Sequence, residues 1–182
     1  TIEIRALADV SARIAPAEMS TQPASVKQPP RGVIRRLARH DEITIARPVL
    51  TESARLTPED LVELAETKGE QHLLAISGRW WLNEVVTDAL LKRYYPSVSL
   101  RLVSNPGAKM SAAGYAIVLK QAETDPALAV ETGIRVDLPV DLRQQLLRSA
   151  TEAVRERLLS RAPPHMFEPI RDAIAAAASG AH

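Results

Sequence analysis

The fold is decided by residues 56–65, LTPEDLVELA, because the same pattern returns three times further along. Thr57 followed by Pro58, Glu59 and Asp60 is a close relative of the capping box. The Thr oxygen accepts from an early amide, Pro58 stands where no amide partner is needed, and the acids favour the positive end of a helix. Four, seven and eight residues past Thr57 come Leu61, Leu64 and Ala65, one face of a helix. The copies are WLNEVVTDALL (81–91), MSAAGYAIVL (110–119) and DLPVDLRQQLL (137–147). Counting from Asn83, the same offsets give Thr87, Leu90 and Leu91. From Ser111 they give Tyr115, Val118 and Leu119, and from a degenerate cap at Leu138 they give Leu142, Gln145 and Leu146. Eight residues before these caps stand Val49, Ala75, Val103 and Val130, the apolar anchors of a preceding helix in each copy. A period of roughly 27 residues is the mark of stacked helix pairs, each too small to bury its own apolar stripe.

The expected fold is therefore all-α: a right-handed α-solenoid, a HEAT-like helical repeat array, with flanking capping helices. Residues 41–150 form four helix-pair repeats. Residues 1–40 supply an N-terminal helix carrying Ile4, Leu7, Val10 and Ile14, a Pro-rich loop over 15–30, and a basic helix opened by Gly32. Residues 151–182 supply C-terminal helices, with Pro163-Pro164 between them. The whole reads as one structural domain. Because it opens on Thr1 already inside a patterned segment, we expect a fragment of a longer protein.

Composition narrows the function classes. At 46% hydrophobic and 25% charged residues the chain is an ordinary globular one. A net charge of +1 supplies no global field toward nucleic acid or an anionic membrane. Cysteine is absent, which removes disulfides and thiolate metal sites and fits a reducing compartment, so a cytoplasmic location is expected. No apolar run reaches the ~18–20 residues of a membrane span, so no membrane partner is expected. Aromatic content of 3% argues against a sugar- or base-stacking platform.

No catalytic pattern emerges. There is no HExxH, GxSxG or phosphate-loop glycine pattern, and no two histidines share a helical turn. We expect no enzyme activity, no metal and no cofactor. His72 reads as a residue near a helix start bonded to backbone or solvent, and Asn105-Pro106-Gly107 as a turn in which Gly tolerates positive φ.

Two polar patches stand out. Arg79, Trp80, Trp81 and Asp88, with Arg101, form a candidate partner-binding surface, since Trp and Arg dominate binding hot spots. On a helix, adjacent tryptophans point about 100° apart. The competing structural reading buries Trp80 between repeats, half-buries Trp81, and bonds Asp88 to Arg79 or a neighbouring turn. Arg31, Arg35, Arg36 and Arg39 form a candidate basic patch, or else a solvated helix face. Trp81, Asp88 and Arg101 also match the residue types of HEAT-like DNA glycosylase grooves, but no sustained basic stripe accompanies them.

Residues 37–50 (LARHDEITIARPVL), 56–61 (LTPEDL), 72–91 (HLLAISGRWWLNEVVTDALL) and 102–111 (LVSNPGAKMS) resemble a bacterial family of uncharacterised proteins, DUF2336, seen mostly in alphaproteobacteria. The resemblance runs from about Arg36 to Ser111. It implies a HEAT-like or leucine-rich-variant-like helical fold and no particular reaction. It also implies less bulk where Trp80-Trp81 stand. From the architecture we expect a protein–protein interaction or scaffold module. Nucleic-acid binding and small-molecule sensing, the latter between the array and the N-terminal segment, are the alternatives.

Overall fold

A computed structural model describes residues 29–179, and among these residues the chain forms eleven α-helices. The helix expected over 2–14 and most of the Pro-rich stretch lie outside the described residues. The helices are α1 (Arg31–Ala38), α2 (Ile43–Glu52), α3 (Pro58–Thr67), α4 (Glu70–Ser77), α5 (Glu84–Leu91), α6 (Pro96–Val103), α7 (Ala112–Ala122), α8 (Pro126–Gly133), α9 (Val140–Ser149), α10 (Glu152–Arg161) and α11 (Pro164–Ser179). No described helix is long and apolar enough to cross a membrane.

The caps explain where the second helix of each pair begins. Thr57 accepts from the Asp60 amide at 3.3 Å while the Asp60 carboxylate accepts from the Thr57 amide at 3.1 Å, a reciprocal capping box. Asn83 accepts from the Val86 amide at 3.1 Å and Ser111 from the Gly114 amide at 2.9 Å. Caps of this type contribute about 1 kcal/mol each. In the fourth pair the expected cap moves by one residue. Pro139 stands at the cap position, without a side-chain hydrogen bond, and Leu138 is buried ahead of it. Counting from Pro139, the offsets four, seven and eight give Arg143, Leu146 and Leu147, all buried, whereas Gln145 is exposed and Leu142 only partly buried. The apparent apolar match of Leu142 and Leu146 set the register one residue early.

With that adjustment all twelve offset positions are buried. Two are polar and both are satisfied. The Thr87 hydroxyl donates to the Lys109 carbonyl at 2.6 Å, and Arg143 donates to the carbonyls of Gly133 and Arg135. Packing follows chain order in two series. One series runs α2 on α4, α4 on α6, α6 on α8 and α8 on α10; the other runs α3 on α5 and α5 on α7, and resumes with α9 on α11. Within each series a helix therefore meets the helix two further along, as expected if one pair must cover the stripe of the next. Val49, Ala75, Val103 and Val130 are buried in the first series, as their spacing predicts.

Side chains that reach back one pair hold these contacts in register. A helix leaves its last carbonyls without partners and concentrates negative charge there. Arg79, two residues past α4, donates to the Leu50 and Ser53 carbonyls at the end of α2, at 2.6 and 2.8 Å. Asn105, two residues past α6, donates to the Ser77 and Arg79 carbonyls at the end of α4, at 3.0 and 2.7 Å. Arg135, two residues past α8, donates to the Val103 and Asn105 carbonyls at the end of α6, at 3.0 and 3.1 Å. The equivalent position thus performs the same task in three successive pairs. Arg93 serves the end of α3 through the Ala65 and Glu66 carbonyls, both at 2.7 Å, and Arg155 serves the end of α9 through Leu147.

Candidate functional site

The loop between α4 and α5 departs from the helical geometry expected for the tryptophan pair. Residues 79–82 are not helical. Both indoles face out: Trp80 is 78% exposed and Trp81 49%. Trp80 does not fill the core between pairs. Leu82 does that, at 1% exposure, because the loop turns the chain so that its next apolar residue points inward.

The loop is nevertheless held from several directions. The Arg79 guanidinium is buried beneath it, fixed on the end of α2. Burial lowers the guanidinium pKa, and its carbonyl partners carry no formal charge to offset this. Asn105 grips the Arg79 carbonyl from the next pair. The Leu82 amide donates to the Gly107 carbonyl at 3.0 Å and the Lys109 amide donates to the Leu82 carbonyl at 2.9 Å, an isolated parallel bridge between Leu82 and Ala108. Gly107 is required for this fit: a Cβ there would stand 1.9 Å from the Trp80 carbonyl oxygen. The reason is close approach, since no described glycine has positive φ.

Beside the two rings lies a groove of about 170 Å³, walled by Leu56, Pro58, Leu61, Leu82 and Val86, with Arg79 at its base. Val85, on the first turn of α5 and next in sequence to the groove-lining Val86, is 63% exposed. Arg79, Trp80 and Trp81 are thus brought together at one groove. Asp88 and Arg101 do not line it. Asp88 accepts from the Ser111 hydroxyl at 2.7 Å and serves the start of α7, the neighbouring-turn role rather than a bond to Arg79. Arg101 lies against Gly78 at the end of α4.

The basic patch is partly neutralised. Arg35 pairs with Asp60 at 2.7 Å, and Arg39 grips Glu63 with two bonds of 3.0 and 2.6 Å. Burial would raise the Asp60 carboxyl pKa, but Arg35 and the Thr57 amide and hydroxyl outweigh it and hold the carboxyl below its ordinary value. Arg31 and Arg36 remain exposed. His72, in the first turn of α4, bonds the His40 carbonyl at 2.8 Å. Among the described residues no three His, Asp or Glu side chains are grouped to hold a metal.

The walls of the groove leave no signal in the sequence, where Leu56 and Pro58 stand only as cap neighbours. The exposure of Trp80 was also hidden, since a Trp beside an apolar run reads equally well as core.

The chain is an all-helical protein of short helix pairs with an aromatic-rimmed groove on one connecting loop. It belongs to a family described as an uncharacterised protein conserved in bacteria, DUF2336, whose pattern matches residues 45–182, from α2 to the end. No curated protein and no solved structure matches it.

Proposed function

We propose that the chain is a protein–protein interaction or scaffold module of the bacterial cytoplasm, without enzymatic activity. In this reading the helix pairs form a right-handed, HEAT-like α-solenoid, and the Trp80–Trp81 groove receives the partner. One observation carries it: two adjacent tryptophans stay exposed on a loop that Arg79, Asn105 and Gly107 hold in place. Exposing both rings forgoes burial worth about 25 cal/mol per Å² of apolar surface, and holding them in place lowers the ordering cost of binding. Rigid aromatic anchors beside an apolar pocket are the usual core of a binding hot spot.

Nucleic-acid binding draws less support. Two of the four arginines in the basic patch are already paired with carboxylates, and Asp88 and Arg101 lie apart from the groove. Small-molecule sensing against the N-terminal segment involves residues outside those described.

The double substitution Trp80→Ala with Trp81→Ala tests the interaction reading. Capture experiments with the native chain should retain a protein that the double variant loses, while thermal melts stay within roughly 2–4 °C because Trp80 is mostly exposed and Trp81 about half exposed. Identical capture by both chains would count against the groove.

A further inference from the structure

Arg79 and Arg135 occupy equivalent places. Each stands two residues past the first helix of its pair and reaches back to carbonyls one pair earlier. The residues that follow match as well: Trp80 and Val136 are exposed, and Leu82 and Leu138 are buried. The two guanidinium groups nevertheless have different partners. Asp137 grips Arg135 through Nε and Nη2 at 2.9 and 2.8 Å, and the Tyr115 hydroxyl lies 3.1 Å from the same Nε. At the groove, Trp81 stands in the place of Asp137, and Leu61, four residues past its cap, stands in the place of Tyr115. Neither brings a carboxylate or a hydroxyl.

Arg79 is therefore left with an open edge. Its Nη1 and Nη2 donate to the Leu50 and Ser53 carbonyls, while its Nε has no hydrogen-bond partner among the described residues. The residue is 6% exposed and lines the groove, and among the described residues of that lining it alone carries a formal charge. Burial lowers the Arg79 pKa with nothing to oppose it. Burial acts the same way on Arg135, but the hydrogen bonds and charges of Asp137 and Tyr115 outweigh it. A buried cation without a counter-ion is costly, and a carboxylate that reaches it gains charge-assisted hydrogen bonds in a fixed fork geometry. Apolar walls strengthen that attraction by keeping water from screening it.

We propose that the groove takes an Asp or Glu side chain of a partner protein, its carboxylate on the Nε edge of Arg79 and an adjoining apolar residue of the partner against Trp80, Trp81 and Leu61. The partner's acid then does for Arg79 what Asp137 does for Arg135. The inference rests on the groove being a docking site.

Two measurements test it. The first supplies the carboxylate from the chain itself. Trp81→Asp puts an acid where Asp137 stands in the fourth pair, so it should melt about 3–6 °C above Trp81→Asn, which has the same shape and no charge. The same two substitutions at Trp80 should melt within about 2 °C of each other, which measures the general effect of an acid ahead of α5. A difference at position 81 no larger than that at position 80 overturns the proposal. The second measurement selects a phage-displayed library of random heptapeptides on the native full chain, with Trp80→Ala plus Trp81→Ala as the counter-selection. Retained peptides should be enriched in Asp or Glu beside an apolar residue. Changing that acid to Asn or Gln should weaken binding about ten-fold, and Trp81→Asp should bind the peptides about ten-fold less tightly than Trp81→Asn. Retained peptides without acidic enrichment overturn the acid-binding role and leave the docking groove standing. If no sequence is retained by the native chain over the double variant, both readings are overturned.

Discussion

Gly107→Ala is expected to destabilise the chain by about 3 kcal/mol, although it adds a single methyl group. The added Cβ would stand 1.9 Å from the Trp80 carbonyl oxygen and 2.8 Å from its carbonyl carbon. Both are backbone atoms, so no side chain can swing aside. One of the two loops must move, and the hydrogen bonds that join them go with it: Leu82 to Gly107, Lys109 to Leu82 and Asn105 to Arg79. Each is worth about 0.5–1.5 kcal/mol net, and together they account for a loss of about 3 kcal/mol. In a chain of this size that is a melting point roughly 6–12 °C lower. Gly32→Ala is the matched control. A Cβ there meets nothing within 4 Å on α1, so the helix preference of Ala should stabilise by about 0.5–1 kcal/mol. Urea unfolding followed by circular dichroism measures both. Equal effects at the two glycines would mean that the loops do not approach as described.

Arg135→Met should cost more, about 4 kcal/mol. The guanidinium is buried, at 7% exposure, and all of its donors are used. It serves the Val103, Asn105 and Ala108 carbonyls and grips both oxygens of Asp137, at 2.9 and 2.8 Å. Its Nε also lies 3.1 Å from the Tyr115 hydroxyl, whose pKa burial pushes up to about 12. Methionine keeps much of the volume but takes a donor from three carbonyls, of which Asn105 keeps only the Ala108 amide, and from a carboxylate. Lysine restores little, since one ammonium cannot span acceptors placed for a planar fork. Arg36→Met, on the exposed face of α1, should stay within about 0.5 kcal/mol.

The same site predicts a pH signature. Burial raises the Asp137 carboxyl pKa, but the hydrogen bonds and charge of Arg135 outweigh it and hold the carboxyl below its ordinary value of 3.8. A carboxyl lowered on folding stabilises the fold above its unfolded value, and that contribution disappears as pH falls through the folded one. The native chain should lose this increment below about pH 4, and Arg135→Met should show a smaller loss, because only the Tyr115 and backbone hydrogen bonds still favour the Asp137 carboxylate.

The all-helical fold and its pairing were legible because they rest on spacing. Thr57, Asn83 and Ser111 are caps in fact, and the residues four, seven and eight positions on are buried. The fourth pair reads one residue early because Pro139 caps without a side-chain bond and because a buried arginine, Arg143, occupies a position that is apolar in the first and third pairs. The back-reaching residues Arg79, Asn105 and Arg135 left no periodic signal. Their types differ, and their purpose depends on carbonyls some 26 to 32 positions earlier in the chain. The groove followed the same rule. Trp80 and Trp81 were visible as candidates, but only the turn at residues 79–82 decides that they face outward. Asp88 and Arg101 were grouped with them by nearness in sequence, and the fold gives each a different neighbour.

The docking reading is tested most directly by photo-crosslinking from position 85. Val85 is exposed, precedes the groove-lining Val86 and lies outside the buried core and the groove lining, so a benzophenone side chain can replace it without disturbing the groove. In cells of the source organism, a discrete covalent adduct with another protein is expected from position 85. That adduct should be lost when Trp80→Ala and Trp81→Ala are added, and no equivalent should form from position 36 on α1. An adduct that forms equally well without the tryptophans, or none at position 85 while position 36 yields one, would contradict it.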